Sequence, residues 1–135
     1  MTQEDKELLL QDLCARLSYG IYISPADCGK AILIGIKDGN PLLWDTILKK
    51  EYDKPWDIEY IKPYLRPMSS MTEEEKRQYI RFIAYSGNPN GSANFVDWLN
   101  AHHFDYRTTY DESKEKWVSM IEKGLALEAP EGMYK

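Results

Sequence analysis

The sequence has few of the residues on which metal and thiol chemistry depend. Its 135 residues include two histidines and two cysteines. His102 and His103 are adjacent, so a regular helix would point them in different directions, and Asp105 does not complete a ligand set. Cys14 and Cys28 form no disulfide framework and stand at no recognisable spacing from a histidine, which favours two reduced thiols. We therefore predict a protein without metal, cofactor or catalytic residue, that is, not an enzyme.

Long apolar runs and an excess of basic charge are also absent. No run approaches the ~20 residues of a membrane-spanning helix, and the start Met-Thr-Gln-Glu-Asp lacks the basic and apolar regions of a signal peptide. The formal net charge is -5 and the pI about 5.1, so we expect neither general nucleic-acid binding nor membrane binding. These features predict a cytoplasmic protein.

Aromatic residues, in contrast, are abundant. Hydrophobic residues make up 43% of the chain and aromatic residues 13%, enough for the core of one domain over residues 1–135. The ten tyrosines and four tryptophans exceed what that core needs, and such residues are enriched at interfaces. Because sheet edges also need cover, we predict a homo-oligomer, most simply a symmetric dimer.

Helix signals recur at four places in the sequence. The clearest is a capping box formed by Thr72 and Glu75. Glu73 is placed to pair with Arg77 one turn later, and we assign the Glu73–Glu75 cluster to the cap and a solvated face, not to a paired-carboxylate site. The predicted helices run from the Thr2 cap to about Ser18, from about Glu73 to Tyr85, from the Asn94 cap through His102, and from the Asp111 cap to about Lys123 before Gly124.

Strand signals concentrate in the first half of the chain. Ala31–Ile36 is apolar on both faces, which is typical of a central strand, and a short strand over Ile21–Ile23 precedes it. Lys37–Asn40 predicts a type I′ hairpin turn that leads to a returning strand over Leu42–Leu48. Leu125–Leu127 adds a short edge strand. The sequence therefore predicts an α+β fold, with an N-terminal helix on a small antiparallel sheet of about three strands and three further helices.

Segments rich in glycine, proline and asparagine separate these elements. Ser24–Gly29 predicts a turn, and Asn88–Ser92 an exposed loop that lacks the Gly-Lys-Ser/Thr ending of a phosphate loop. Lys49–Trp56 predicts a charged, aromatic loop. Phe104–Arg107 predicts a compact connection between the last two helices.

Two prolines, Pro63 and Pro67, interrupt the apolar segment before the capped helix. Each lacks an amide proton and restricts the residue before it, which excludes a long regular helix. We expect Ile58, Ile61 and Leu65 to be buried anchors of an irregular or single-turn segment.

The candidate binding residues lie in this same segment. Trp56, Tyr60, Lys62, Tyr64 and Arg66 interleave aromatic and basic side chains, which can stack on a base and contact a phosphate, or anchor a protein partner. Burial of the aromatic rings beneath extended basic side chains is an equally consistent interpretation. We single out Arg66, since a guanidinium both stacks and forms ion pairs, and expect Arg66→Ala to weaken partner binding with little change in Tm.

Four stretches resemble one known group. YLRPMSSMTEEEK at 64–76, DWLN at 97–100, HFDYR at 103–107 and IEKGLALEAPEGMY at 121–134 are similar to small uncharacterised proteins encoded by gut bacterial phages and prophages. The resemblance covers roughly half of the chain. The chain differs from the group at Ser86–Ala93 and resembles a group member with an insertion at Thr108–Lys116. The resemblance implies a phage or mobile-element accessory protein inside a bacterial cell, and it brings no established activity.

These observations leave two classes of function open. The first is a non-enzymatic binding protein that inhibits a host factor or defence system through protein–protein contact. The alternative is a small-molecule binder that sequesters a nucleotide immune signal. A pocket lined by convergent basic and aromatic side chains would favour the nucleotide, whereas a flat exposed aromatic patch would favour the protein partner.

Overall fold

The computed structural model describes residues 2–25, 30–84 and 89–134, with side chains described over 2–25, 30–84 and 95–134. The helices are α1 Gln3–Arg16, α2 Glu73–Ala84, α3 Pro89–Ala101 and α4 Met120–Lys123. The strands are β1 Tyr22–Pro25, β2 Ala31–Lys37, β3 Asn40–Asp45, β4 Lys50–Glu51, β5 Ile61–Pro67, β6 Phe104–Asp105, β7 Thr108–Asp111, β8 Lys116–Ser119 and β9 Leu127–Glu128.

The predicted α+β class, the N-terminal helix and the three further helices are confirmed among the described residues, but the predicted sheet is too small. The main sheet has seven strands in the order β4-β3-β2-β1-β5-β6, with β9 also paired to β5. Strands β1 to β5 pair antiparallel, whereas β6 and β9 run parallel to β5. The sheet is therefore mixed. Strands β4 and β6 have two residues each, which is too short to leave a periodic pattern in the sequence. Strand β9 overlaps the predicted edge strand Leu125–Leu127 only at Leu127.

The segment with the two prolines was predicted to be irregular or a single turn. It begins with a single 3-10 turn over Ile58–Tyr60, but the rest of it forms the regular strand β5. The antiparallel pairing with β1 ends at Pro63, and the parallel pairing with β9 begins at Tyr64. Pro67 is the last residue of the strand. Both prolines thus lie where one run of pairing ends, which is where a missing amide is tolerated. The predicted anchors Ile58, Ile61 and Leu65 are all buried.

Three local turn and cap signals are confirmed, at Thr2, at Asp38–Gly39 and at Gly124. Asp38 and Gly39 have φ values of 53° and 78°, the two positive values of a type I′ turn between β2 and β3. The Thr2 side chain accepts from the amide of Asp5, and Gly124 adopts the left-handed conformation after α4.

The predicted start of the third helix is wrong. Helix α3 begins at Pro89, not at Asn94, because proline fits the first helical position, where an amide has no partner. The residues 89–92 of the predicted loop are therefore helical. Residues 26–29 of the predicted turn and residues 85–88, which include the predicted end of α2, lie outside the described residues, while Ser24 and Pro25 belong to β1.

The predicted last helix is mostly a β-hairpin. Strands β7 and β8 pair antiparallel, and only Met120–Lys123 is helical. Asp111 caps a turn instead of a helix, since its carboxylate accepts from the amide of Ser113 at 3.0 Å. Tyr110 lies opposite Trp117, with the two rings exposed and 5.7 Å apart. Aromatic and β-branched residues favour this pairing.

The core lies between α1 and the sheet. Leu9 and Leu13 of α1 pack against the buried residues of β1 and β5, and α4 closes the core with Met120. No helix among the described residues is long and apolar enough to cross a membrane. This packing leaves the carboxyl end of β5 facing α2, α3 and the segment after β9, and these elements frame the site described next.

Candidate functional site

A cleft of about 850 Å³ opens at the carboxyl end of β5. One side consists of the 3-10 turn Met68–Ser70 and the first turns of α2, and the end of α3 supplies His102. The opposite side is the segment 128–134, which β9 attaches to β5. The cleft therefore forms where four separate parts of the chain meet.

The floor of the cleft is an ion pair between Arg66 and Glu75. Arg66 donates from Nη1 and Nη2 to the two carboxylate oxygens of Glu75, at 2.8 and 2.6 Å. Glu75 also accepts from the amide of Thr72 at 2.9 Å, which completes the predicted capping box. The Arg66 guanidinium, together with the backbone bond, lowers the pKa of Glu75 to about 2. This carboxylate is therefore ionised and engaged by both Arg66 and the predicted cap. The predicted solvated face is formed by Glu73 and Glu74, which are exposed.

Arg66 makes three further contacts. It donates to the carbonyl oxygens of His102 and Ser70, both at 3.3 Å, and its guanidinium lies 4.3 Å from the ring centre of Phe104. A cation over an aromatic face is held by the ring quadrupole. Arg66 thus links β5 to α2, α3 and β6.

The two histidines have different environments. His102 is half-buried, with Nδ1 at 2.9 Å from the carbonyl oxygen of Trp98 and Nε2 at 4.0 Å from Glu75. His103 is buried and stacks on Tyr134 at 3.7 Å between ring centres. Burial, and then the charges of nearby arginines, lower the pKa of His103 to about 4. Among the described residues, no group of histidine, cysteine and carboxylate side chains is placed to hold a metal ion.

Tyr134 fixes the wall of the cleft. Its hydroxyl donates to the carbonyl oxygen of Tyr64 at 2.7 Å and accepts from the amide of Tyr22 at 3.0 Å. Its ring also stacks on Tyr22 at 5.4 Å. Burial raises the pKa of this phenol. The segment 128–134 is therefore anchored at both ends, by β9 at one end and by Tyr134 at the other.

The inner surface of the cleft is acidic and apolar. Glu74, Glu128 and Glu131 line it together with Pro67, Ala129, Pro130 and Met133. Glu74 forms an exposed ion pair with Arg77 at 3.1 Å, whereas Lys76 pairs with Glu73, so the predicted Glu73–Arg77 pair does not form. Within the described part of the chain, Glu128 and Glu131 are exposed and have no salt-bridge partner. Because Glu75 neutralises Arg66, the cleft carries net negative charge.

The structure separates the five predicted binding residues. Lys62, Tyr64 and Arg66 share one face of β5, because side chains alternate along a strand, but of these only Arg66 lines the cleft. Tyr60 and Lys62 are exposed outside it. Trp56 is half-buried and packs edge-on against Tyr52 at 5.4 Å, beside a shallower cavity over residues 52–57.

Three functional candidates were missed by the sequence reasoning, namely Glu128, Glu131 and Tyr134. All three belong to the closing phrase IEKGLALEAPEGMY, beyond the predicted end of the last helix and the predicted edge strand Leu125–Leu127. Their proximity to Arg66 depends on the parallel pairing of β9 with β5. The sequence gives no local signal for that pairing.

A second ionic cluster stabilises the strand β6, whose Phe104 contacts Arg66. Asp12 of α1 accepts from Arg16 and from Arg107, both at 2.8 Å, and Arg16 donates to the carbonyl oxygen of Phe104 at 2.6 Å. Asp12 and Arg16 are fully buried. This cluster fixes β6, and with it the ring on which Arg66 stacks.

Comparisons with protein-family models, with curated proteins and with solved structures found no match. The function proposed below therefore depends on the geometry and charge of the cleft.

Proposed function

We propose that this chain is a non-enzymatic binding protein that captures a basic, extended segment of another protein in the cleft. The observation that carries the proposal is the pair of exposed, unpaired carboxylates, Glu128 and Glu131, above an apolar surface in a cavity of about 850 Å³. Lysine or arginine side chains of a partner would meet these carboxylates, while its apolar side chains would cover Pro67, Ala129 and Met133.

Charge favours this kind of partner in two ways. A lysine at 4 Å from an exposed carboxylate gains about 1 kcal/mol in water-like surroundings. The net charge of -5 adds long-range attraction that raises the association rate of basic partners. Both effects weaken with salt.

The same charges oppose a nucleotide in the cleft. A phosphate group would approach Glu74, Glu128 and Glu131, and the one arginine among the lining residues is already bound on both terminal nitrogens to Glu75. The alternative of a small-molecule binder keeps one supporting observation, since the volume falls in the range of about 300–1,000 Å³ that such pockets occupy. We therefore place it second.

The chemistry of the cleft supports binding over catalysis. A general base works best with a pKa near the operating pH, but the carboxylate of Glu75 has a pKa of about 2. The imidazole of His103 is covered by Tyr134. Given the resemblance to phage proteins, we propose a bacterial host factor or defence protein as the class of partner.

The test uses a labelled, extended peptide that alternates lysine with leucine. Its affinity for the protein is measured by fluorescence anisotropy at low and high salt. We expect saturable binding that weakens at least tenfold in Glu128→Lys/Glu131→Lys. Glu112→Lys/Glu115→Lys is the matched control, because it reverses two exposed glutamates at the same spacing on the turn between β7 and β8. The control should bind as the unmodified protein does.

Two outcomes would reject the proposal. Equal weakening in both double variants would show that only the overall charge matters. Tighter binding of a cyclic dinucleotide than of the peptide, with competition between them, would favour the small-molecule alternative.

A further inference from the structure

The turn between β3 and β4 presents two neighbouring aliphatic side chains to solvent. Ile47 is 79% exposed and Leu48 is 64% exposed. We call residues 46–50 the tip. Scattered exposed aliphatic residues are ordinary, but two adjacent ones at the apex of a turn form a compact apolar surface that a partner can bury.

Three hydrogen bonds stabilise the tip. A carboxylate oxygen of Asp45 accepts from the amides of Ile47 and Leu48, at 2.8 and 3.1 Å. The hydroxyl of Thr46 donates to the carbonyl oxygen of Lys30 at 2.6 Å. A surface that is already ordered loses less conformational entropy when it binds.

Basic residues follow the apolar pair. Lys49 and Lys50 are exposed and have no salt-bridge partner within the described ranges. Lys50 lies opposite Asp45 where β3 pairs with β4, so the net positive charge of the tip comes mainly from Lys49. The tip is thus apolar and basic, whereas the cleft is apolar and acidic. The two surfaces of the same chain are complementary.

A tip cannot reach the cleft of its own molecule. The tip follows β3, which β2 and β1 separate from β5, so it is displaced by about 14 Å across the sheet at ~4.8 Å per strand. The register places the end of β3, at Asp45, beside the start of β2, and the start of β5 beside the end of β1. The tip therefore lies at the opposite end of the strands from the carboxyl end of β5, where the cleft opens.

We propose that the tip of one copy binds in the cleft of a second copy, so that the chain associates head to tail. This inference rests on the proposed function, because it uses the same cleft and the same basic, apolar kind of segment, and it names a second copy as an occupant. Such a contact is heterologous, so it builds a ring or an open chain of copies. It differs from the symmetric dimer predicted from the sequence.

In a head-to-tail assembly, the tip of one copy occupies the cleft of the next copy and excludes other segments from it. A foreign basic segment would compete with the tip of another copy, so partner binding should dissociate the assembly. Free clefts would predominate only at low protein concentration.

A charge-swap experiment tests the contact. Variant one is Lys49→Glu/Lys50→Glu, and variant two is Glu128→Lys/Glu131→Lys. Each variant alone brings like charges together at the contact, so its self-association should weaken at least tenfold in sedimentation velocity. An equimolar mixture pairs each tip with a cleft of opposite charge and should associate again.

Several results would overturn the inference. A wild-type chain that stays monomeric at all concentrations would do so, as would a mixture of the two variants that remains dissociated. Association that persists in Ile47→Ser/Leu48→Ser would show that another surface is responsible. The lysine–leucine peptide distinguishes this failure from failure of the proposed function, because it should still bind the Ile47→Ser/Leu48→Ser variant if the cleft captures basic segments.

Discussion

Arg66 and Glu75 face each other across the floor of the cleft and share two hydrogen bonds, of 2.8 and 2.6 Å. The same carboxylate caps the amino end of α2 through Thr72. The start of a helix and the end of a central strand are therefore fastened by one side chain. A change at either residue should affect both the cleft and the fold.

Arg66→Ala should destabilise the protein, contrary to the expectation from the sequence. Removal of the guanidinium leaves Glu75 largely buried without its counterion. Breaking a fully buried pair costs about 3–5 kcal/mol, and because both side chains of this pair keep some solvent exposure we expect about 2–3 kcal/mol. The free energy of unfolding, measured with urea, checks this. Arg77→Ala is the control, since its exposed pair with Glu74 should contribute no more than about 0.5 kcal/mol. Equal losses in the two variants would contradict a structural role for Arg66.

Stability should fall in mild acid because of His103. Its pKa lies near 4 in the folded protein against an ordinary value of 6.5, so the unfolded chain binds the proton more readily. The stabilisation is complete above pH 6.5 and is lost as the pH falls from 6.5 towards 4. The free energy of unfolding, measured with urea across this pH range, should fall as the pH is lowered. The fall should be smaller in His103→Asn. Asparagine is the suitable replacement because His103 has a φ of 62°, which asparagine tolerates. An NMR titration that finds His103 protonating near 6.5 would exclude this cause.

Tyr134→Phe should loosen the wall of the cleft while the ring stacking is kept. The lost hydroxyl leaves the amide of Tyr22 and the carbonyl of Tyr64 without their partner, at a cost of about 1–3 kcal/mol. Hydrogen exchange should show faster exchange at the Tyr22 amide and along residues 128–134. Unchanged protection at Tyr22 would mean that the hydroxyl does not hold the wall.

Asp12→Ala should be the most destabilising of these variants. It leaves Arg16 fully buried without a counterion and removes a partner from Arg107, and the loss of one member of a buried ionic group costs about 3–5 kcal/mol. Lys6→Ala removes the more exposed pair with Glu59 and should cost less than about 1 kcal/mol. Urea midpoints of both variants provide the measurement. A loss for Asp12→Ala as small as that for Lys6→Ala would refute the prediction.

The features predicted correctly from the sequence depend on neighbouring residues. The capping box at Thr72 and the turn at Asp38 and Gly39 are specified by a few adjacent residues. All the interactions that form them lie within a few residues of each other, so they can be predicted from the local sequence. The hairpin of β7 and β8 was mistaken for a helix because Asp111 and Gly124 stand where a helix cap and a helix stop are expected, and Trp117, Met120 and Ile121 between them have helical spacing. Strand pairing outweighed that periodicity.

The features that were missed depend on distant residues. Strand β5 tolerates Pro63 only because its partner changes there, and no local signal reveals a change of partner. For the site, Arg66 was identified as important, but its counterion and its stacking partner Phe104 could not be inferred from spacing. The acidic wall with Glu128 and Glu131 becomes part of a cleft only after β9 has paired.

The anchoring of Tyr134 has a consequence for how the protein is made. Its hydroxyl joins partners that lie 70 and 112 residues earlier in the chain, and contacts between such distant residues require the closure of long loops during folding. The cleft therefore cannot be complete until the ribosome has released the chain as far as Tyr134. A shorter nascent chain already contains α1 and the hairpin of β2 and β3 but cannot form the acidic cleft. Capture of a basic segment should therefore begin only after Tyr134 has been synthesised.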